Sequence, residues 1–188
     1  MKALKLLYKM RRETQRFNTL RYPNPFLESK AETVNLPLGD FDHHVMNRMK
    51  ELMFGVDGKK HPLIAVGMAA PQVGVGKRMF VYCPIAPTAN LVRNVKRNLI
   101  EAYNPEILDH GREQVTASEG CVSDPSFYAP VKRWQIIQVV YHDRQGKPIF
   151  RKLTGWEARV FQHEVDHLNG VICRFRHIEQ RDEAAKTA

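Results

Sequence analysis

Apolar residues recur at helical spacing in two places along the chain. Val45, Met46, Met49, Leu52 and Met53 fall three and four apart, which predicts a helix with one buried stripe. Asp40 or Asp42 can cap its start, and Gly55 stands where a left-handed C-cap belongs. The methionines read as core packing, since a flexible thioether fills irregular gaps. In the second place, at about 100° per residue, Trp156, Val160, His163 and His167 share one face, while Ala158, Phe161, Val165 and Leu168 share nearly the opposite one. A helix apolar on two sides belongs in the middle of a fold. Thr154-Gly155-Trp156-Glu157 has the capping-box pattern for its start, and Asn169-Gly170 marks its end.

Other stretches read as strand or loop. Met79-Phe80-Val81-Tyr82 is a short buried strand ended by Cys83-Pro84. Residues 136–141 and 149–153 are strand-like and are joined by the turn chemistry of Asp143-Arg144-Gln145-Gly146, which predicts a hairpin. Pro23 and Pro25 force an extended path, and Leu36-Pro37-Leu38-Gly39-Asp40 ends it with a turn. Small residues dominate 64–74, so backbone there can lie close to something else. Residues 58–62 and 86–98 read as loops, the second solvated and basic through Arg93, Lys96 and Arg97.

Length and composition narrow the class. A chain of 188 residues with 43% hydrophobic and 26% charged residues supports one ordinary core and excludes disorder as the main state. No apolar run approaches the roughly 18 to 20 residues of a membrane-spanning helix. Cys83, Cys121 and Cys173 are an odd number at wide spacing, which points to a reducing compartment rather than a disulfide framework. The 29 Lys and Arg outnumber the 20 Asp and Glu by nine, an excess that favours acidic partners. Part of it lies in Lys2, Lys5, Lys9, Arg11, Arg12 and Arg16, opposed only by Glu13. These residues make a basic N-terminal extension. The extension reads as a transit-peptide remnant, a basic surface helix or a plain addition.

The second helix carries His163-Glu164-Val165-Asp166-His167. Histidines at i and i+4 project from adjacent turns, so both imidazoles can reach one ion. Glu164 falls beside that ion, where it can take a proton from water and pass it to a leaving nitrogen. A third ligand is needed. Downstream, the residue six after His167 is Cys173, which does not fit the spacing of the long zinc-protease motif. Upstream, Cys121 within Ser118-Glu119-Gly120-Cys121-Val122-Ser123 can present a thiolate, giving one Cys and two His with a fourth position open.

Three segments together resemble the peptide deformylase family: Gly67-Met68-Ala69-Ala70-Pro71-Gln72, Glu119-Gly120-Cys121-Val122-Ser123 and Gln162-His163-Glu164-Val165-Asp166-His167-Leu168-Asn169-Gly170. The likeness extends to Tyr22-Pro23-Asn24-Pro25 and Tyr103-Asn104-Pro105-Glu106-Ile107, covering roughly residues 19 to 175, which implies a catalytic domain at 19–175 between a basic extension at 1–18 and a polar tail at 176–188. It implies an α+β fold with short antiparallel sheets packed around a central buried helix carrying HExxH. It also implies removal of formate from the formyl-methionine of nascent polypeptides. Carried over, Cys121, His163 and His167 are the metal ligands and Glu164 is the general base and then acid. The Gln72 amide and the Val122 N–H join the metal in holding the oxyanion. Ile64 to Gly67 run beside the substrate backbone, Gly120 also binds substrate, and the methionine side chain enters a pocket near Val66, Trp156, Val160 and His163. Glu119 with Arg133 braces the cysteine loop, and Asp166 orients a neighbouring group from behind the helix.

The resemblance favours one Fe(II), and Zn(II) also suits the ligand types. It implies formylated nascent peptides as partners, and the basic charge suggests a transient ribosome contact. Specific DNA and membrane are not expected, and a monomer is. The implied location is bacterial cytoplasm, with mitochondrion or plastid as alternatives. Ala65 stands where the first motif has glycine, and Val122, Asp124 and Ser126 depart from the second; Asp124 is expected to place a negative charge near the entrance. Two other readings stand beside this one, an HExxH metallopeptidase and a deacylase of other N-acylated peptides.

Overall fold

The computed structural model describes residues 18–54, 65–86 and 98–187. Gly55, the 58–62 loop, Ile64 and nearly all of the basic extension and the 86–98 loop lie outside the described residues. The chain has the α+β class. Its elements are helix α1 (Asp40–Met53), strands β1 (Gly67–Ala69), β2 (Met79–Tyr82), β3 (Ile100–His110), β4 (Gln114–Cys121), β5 (Asp124–Trp134), β6 (Ile136–His142) and β7 (Pro148–Thr154), and helices α2 (Gly155–Leu168) and α3 (Cys173–Thr187). Five strands form one antiparallel sheet in the order β1-β2-β3-β6-β7, and β4 and β5 form a separate two-stranded ribbon.

The expected hairpin is β6 paired with β7, in which Ile137, Val139, Tyr141 and Leu153 turn inward. Helix α2 lies against that inner face. Phe161 meets Phe80, Tyr82 and Tyr141 at ring separations of 5.0, 5.7 and 6.2 Å. Gln162 fixes the helix to the end of β5, since its amide donates to Trp134 O (2.9 Å) and accepts from Trp134 N–H (3.0 Å). A second cluster joins the α1 stripe of Val45, Met46, Met49 and Met53 to Met68, Met79 and Val81.

Several expectations need correction. Helix α1 starts after Gly39 without a side-chain cap, and Asp42 instead pairs with Lys77. Thr154 precedes α2 but makes no capping bond. Glu157 is drawn away by the fork of Arg151, at 2.6 and 3.1 Å, and by the Tyr82 hydroxyl at 3.0 Å. Strand β3, read only as a motif, is irregular: Asn104 has φ 48° and the register with β6 shifts twice. Residues 176–187, read as tail, are helical. Gln180 docks α3 by an amide exchange with the backbone of Lys132 at 2.9 and 2.8 Å. No helix among the described residues is long and apolar enough to cross a membrane.

The ribbon is an excursion between β3 and β6. Its base is closed by Gly111 N–H to Ile136 O (2.9 Å) and Gln135 N–H to Glu113 O (3.0 Å). Its tip folds back over α2.

Candidate active site

The i and i+4 spacing on α2 stacks His163 and His167 edge to face, with ring centroids 4.9 Å apart. Cys121 reaches them from the tip of the ribbon, where it lies opposite Asp124 across the two-residue turn Val122-Ser123. Its Sγ is 3.3 Å from His167 Nε2. Ligand atoms of Cys121, His163 and His167 all lie within 4.8 Å of one another. Burial would raise the Cys121 thiol, but the two imidazoles outweigh it and hold the thiol well below its ordinary range. His163 is held well above its own, with burial opposed by hydrogen bonds to Cys121 and Glu119. A preformed thiolate facing two imidazoles is a donor set that suits Zn(II) or Fe(II).

Glu164 is 3% exposed, and its Oε2 has no hydrogen-bond partner. Burial first, against the pull of His163 and His167, pushes its carboxyl up to about 7. Its other oxygen lies over Gly67, where a β-carbon would sit 2.2 Å from Oε1. A buried carboxylate oxygen left bare beside a thiolate and two imidazoles is the feature that a bound cation and its water would satisfy.

Gln72 is buried in the short 3-10 turn after β1. Ala69 N–H donates to its Oε1 at 2.8 Å, which turns Nε2 toward Cys121 Sγ (3.5 Å) and Ser123 Oγ (3.2 Å). Ser123 N–H also faces the sulfur at 3.4 Å. The backbone of this corner is held from the N-terminal side. Leu20 N–H donates to Gln72 O (2.7 Å), Tyr22 N–H donates to Ser123 O (2.8 Å), and Arg21 donates to Val122 O.

Behind the ligands runs a chain of paired charges. Glu119 accepts His163 Nδ1 at 3.0 Å, Arg133 through two bonds of 3.0 and 2.9 Å, and Arg159 at 2.6 Å. Burial would raise the Glu119 carboxyl, yet the bonds from His163 and Arg133 hold it far below its usual range. With Nδ1 engaged, the remaining ring nitrogen of His163 is left for a metal. Arg133 also pairs with Asp166, which Arg176 holds from outside at 2.6 Å. Sequence reasoning missed Arg159. It stands four residues before His163, and its guanidinium also reaches Val131 O (3.0 Å) and Ala117 O (3.5 Å), tying both ribbon strands to α2. Its place on the ligand face was the available signal.

These groups open into a cleft of about 730 Å³. Val66, Gly67, Gly120, Val122, Trp156, Val160, His163 and Glu164 all line it. Arg133, Asp166 and His167 lie behind it. Tyr128 and Arg21, also missed, stand along it. The charge expected from Asp124 is not there. Asp124 is 2% exposed and lies in a two-bond pair with Arg174, fifty residues away in sequence.

Residues 17–183 match the model of the polypeptide deformylase family. The chain belongs to that family. It is accordingly a metal-dependent hydrolase that removes the formyl group from nascent polypeptides, and the two alternative readings are not favoured. The peptide deformylase of Thermotoga maritima is 36% identical over 154 residues, 80% of each chain. That of Thermodesulfovibrio yellowstonii is 40% identical over 152 residues, 81% of this chain and 83% of the relative. The Thermotoga maritima crystal structure superposes with a TM-score of 0.70 at 34% identity, covering 85% of this chain and 96% of that one. A class I type b peptide deformylase from Acinetobacter baumannii with Met-Ala-Ser bound gives a TM-score of 0.72 at 29% identity, covering 85% and 97%.

Proposed function

We propose that the cleft carries out deformylation with Cys121, His163 and His167 holding one divalent ion, Fe(II) in preference to Zn(II). When bound, the ion supplies Lewis acidity for the formyl carbonyl and for a water. Glu164 takes the proton of the attacking water at its bare carboxylate oxygen and returns it to the leaving amine nitrogen. Gln72 Nε2 and the Val122 N–H donate to the oxyanion as it forms, and their fixed backbone spares reorganisation. Glu119, with Arg133 and Asp166 behind it, keeps the His163 ring in orientation. Val66, Gly67 and Gly120 flank the substrate backbone, and the apolar wall of Trp156 and Val160 receives the methionine side chain. The observation that carries this reading is the unpartnered Glu164 oxygen, set beside three ligand atoms within 4.8 Å of one another.

The same reading makes the enzyme a monomer of the bacterial cytoplasm that touches the ribosome transiently through its basic surface. The bacterial relatives and the excess positive charge support it. The test is formate release from formyl-Met-Ala-Ser by protein purified without oxygen and loaded with Fe(II) or Zn(II), beside Glu164→Ala. Release that falls roughly a thousandfold in the variant supports the assignment. Equal rates in both would remove Glu164 from the chemistry.

A further inference from the structure

The turn that presents Cys121 and Val122 is only two residues long, so whatever fixes Asp124 fixes its neighbours. Arg174, at the start of α3, donates to both Asp124 oxygens at 2.6 and 3.1 Å and to Ser126 Oγ at 3.3 Å. Ser126 Oγ in turn donates to Asp124 Oδ1 at 2.9 Å. The guanidinium lies 4.7 Å from the Phe127 ring centroid and 5.1 Å from that of Tyr22, whose own N–H holds Ser123 O. A two-bond pair of this kind, with its carboxylate buried and its guanidinium partly exposed, is directional as well as attractive, and removing Arg174 leaves the buried Asp124 charge uncompensated.

We propose that Asp124 and Arg174 are positioning residues for deformylation, holding the Val122-Ser123 turn so that the Cys121 sulfur and the Val122 N–H keep their aim. The proposal rests on the reading of the cleft given above. It makes α3 a working part of the site, with Arg174 acting on the cysteine turn while Arg176 holds Asp166 behind the ligands. Charge-assisted bonds from Arg174 also hold the Asp124 carboxyl below its ordinary range, so the pair persists across the neutral pH region.

The test compares the full-length metal-loaded enzyme with Asp124→Asn, Arg174→Gln, the double variant and Arg174→Lys, which keeps the charge but loses the fork. Three quantities are read: kcat and KM per bound metal, the thermal midpoint, and the visible spectrum of the Co(II) form, whose thiolate band reports the Cys121 donor. Each single variant is expected to lose about ten- to hundredfold in kcat with KM within about threefold, and to shift the thiolate band. The double variant is expected to be no worse than the worse single, since the losses belong to one pair. Arg174→Lys should fall between, and it serves as the folded reference if a neutral variant is unstable. An unchanged kcat and band in folded variants would overturn the proposal, as would losses that multiply in the double. Should the unaltered enzyme release no formate, the reading of the cleft fails, and the Co(II) band alone decides whether the pair aims Cys121.

Discussion

Replacing Gly67 with alanine puts a methyl group 2.2 Å from Oε1 of Glu164, 2.7 Å from its Cδ and 3.0 Å from its Cγ. An ordinary contact needs about 3.4 Å, so the carboxylate, at the end of a flexible side chain that lines the cleft, must swing by roughly 1 Å from its present position. Gly67 is extended within β1 and does not lie at positive φ. Alanine therefore costs the backbone little, so the loss in kcat should come from the displaced carboxylate, and crowding of the substrate beside Gly67 should show in KM instead. A misplacement of about 1 Å at the reacting centre costs on the order of a hundredfold. The assay is steady-state formate release, with metal content measured on the same samples. We expect kcat to fall about a hundredfold while bound metal is unchanged, because Cys121, His163 and His167 are untouched. A fully metallated, folded Gly67→Ala enzyme with kcat within about threefold of the parent would refute the reasoning.

Glu119→Gln removes the charge shared by His163, Arg133 and Arg159, and should weaken metal retention about ten- to hundredfold in chelator competition. Equal retention would show that the His163 ring is held by packing. Acid sensitivity is expected at Glu101, 13% exposed, which burial would raise but which Arg144, Lys50 and Tyr103 pull down to about 2. Its folded value lies below its unfolded one, so its contribution is present above the ordinary 4.5 and is lost as pH falls from there toward 2. After allowance for the exposed partners this is about 1–2 kcal/mol. Glu101→Gln should lower the thermal midpoint at pH 7 and leave it nearly unchanged near pH 2.

What was legible in the sequence was whatever lies within one periodic element. The two faces of α2 and the ligand pair on it follow from 3.6-residue spacing, and the alternation of Ile137, Val139 and Tyr141 announces β6. Strand β4 was not legible because residues 114–118 are all exposed, so no inward face marks the strand. Helix α3 docks partly through Gln180 and a bond between His177 and Pro130 O, side chain to backbone, and periodicity is blind to such contacts. The Asp124 charge was misread for a related reason. Its sign is visible at once, but its partner lies on another element, and only the fold shows that the two cancel. Glu157 failed as a cap because Arg151, on the preceding strand, competes for it with a full charge.

The closed base of the ribbon bears on how this chain can vary in length. Chain enters and leaves the five-stranded sheet at adjacent points, so residues gained or lost within β4 and β5 leave the register of β3 with β6 untouched. The tip is less tolerant, because strand side chains alternate faces. One extra residue in β4 would turn the sulfur of Cys121 to the opposite face, and two would restore the face but carry it about 7 Å outward. Length change is thus free at the sheet and forbidden at the metal, so viable insertions belong at Arg112, between the bonded residues Gly111 and Glu113 that close the base.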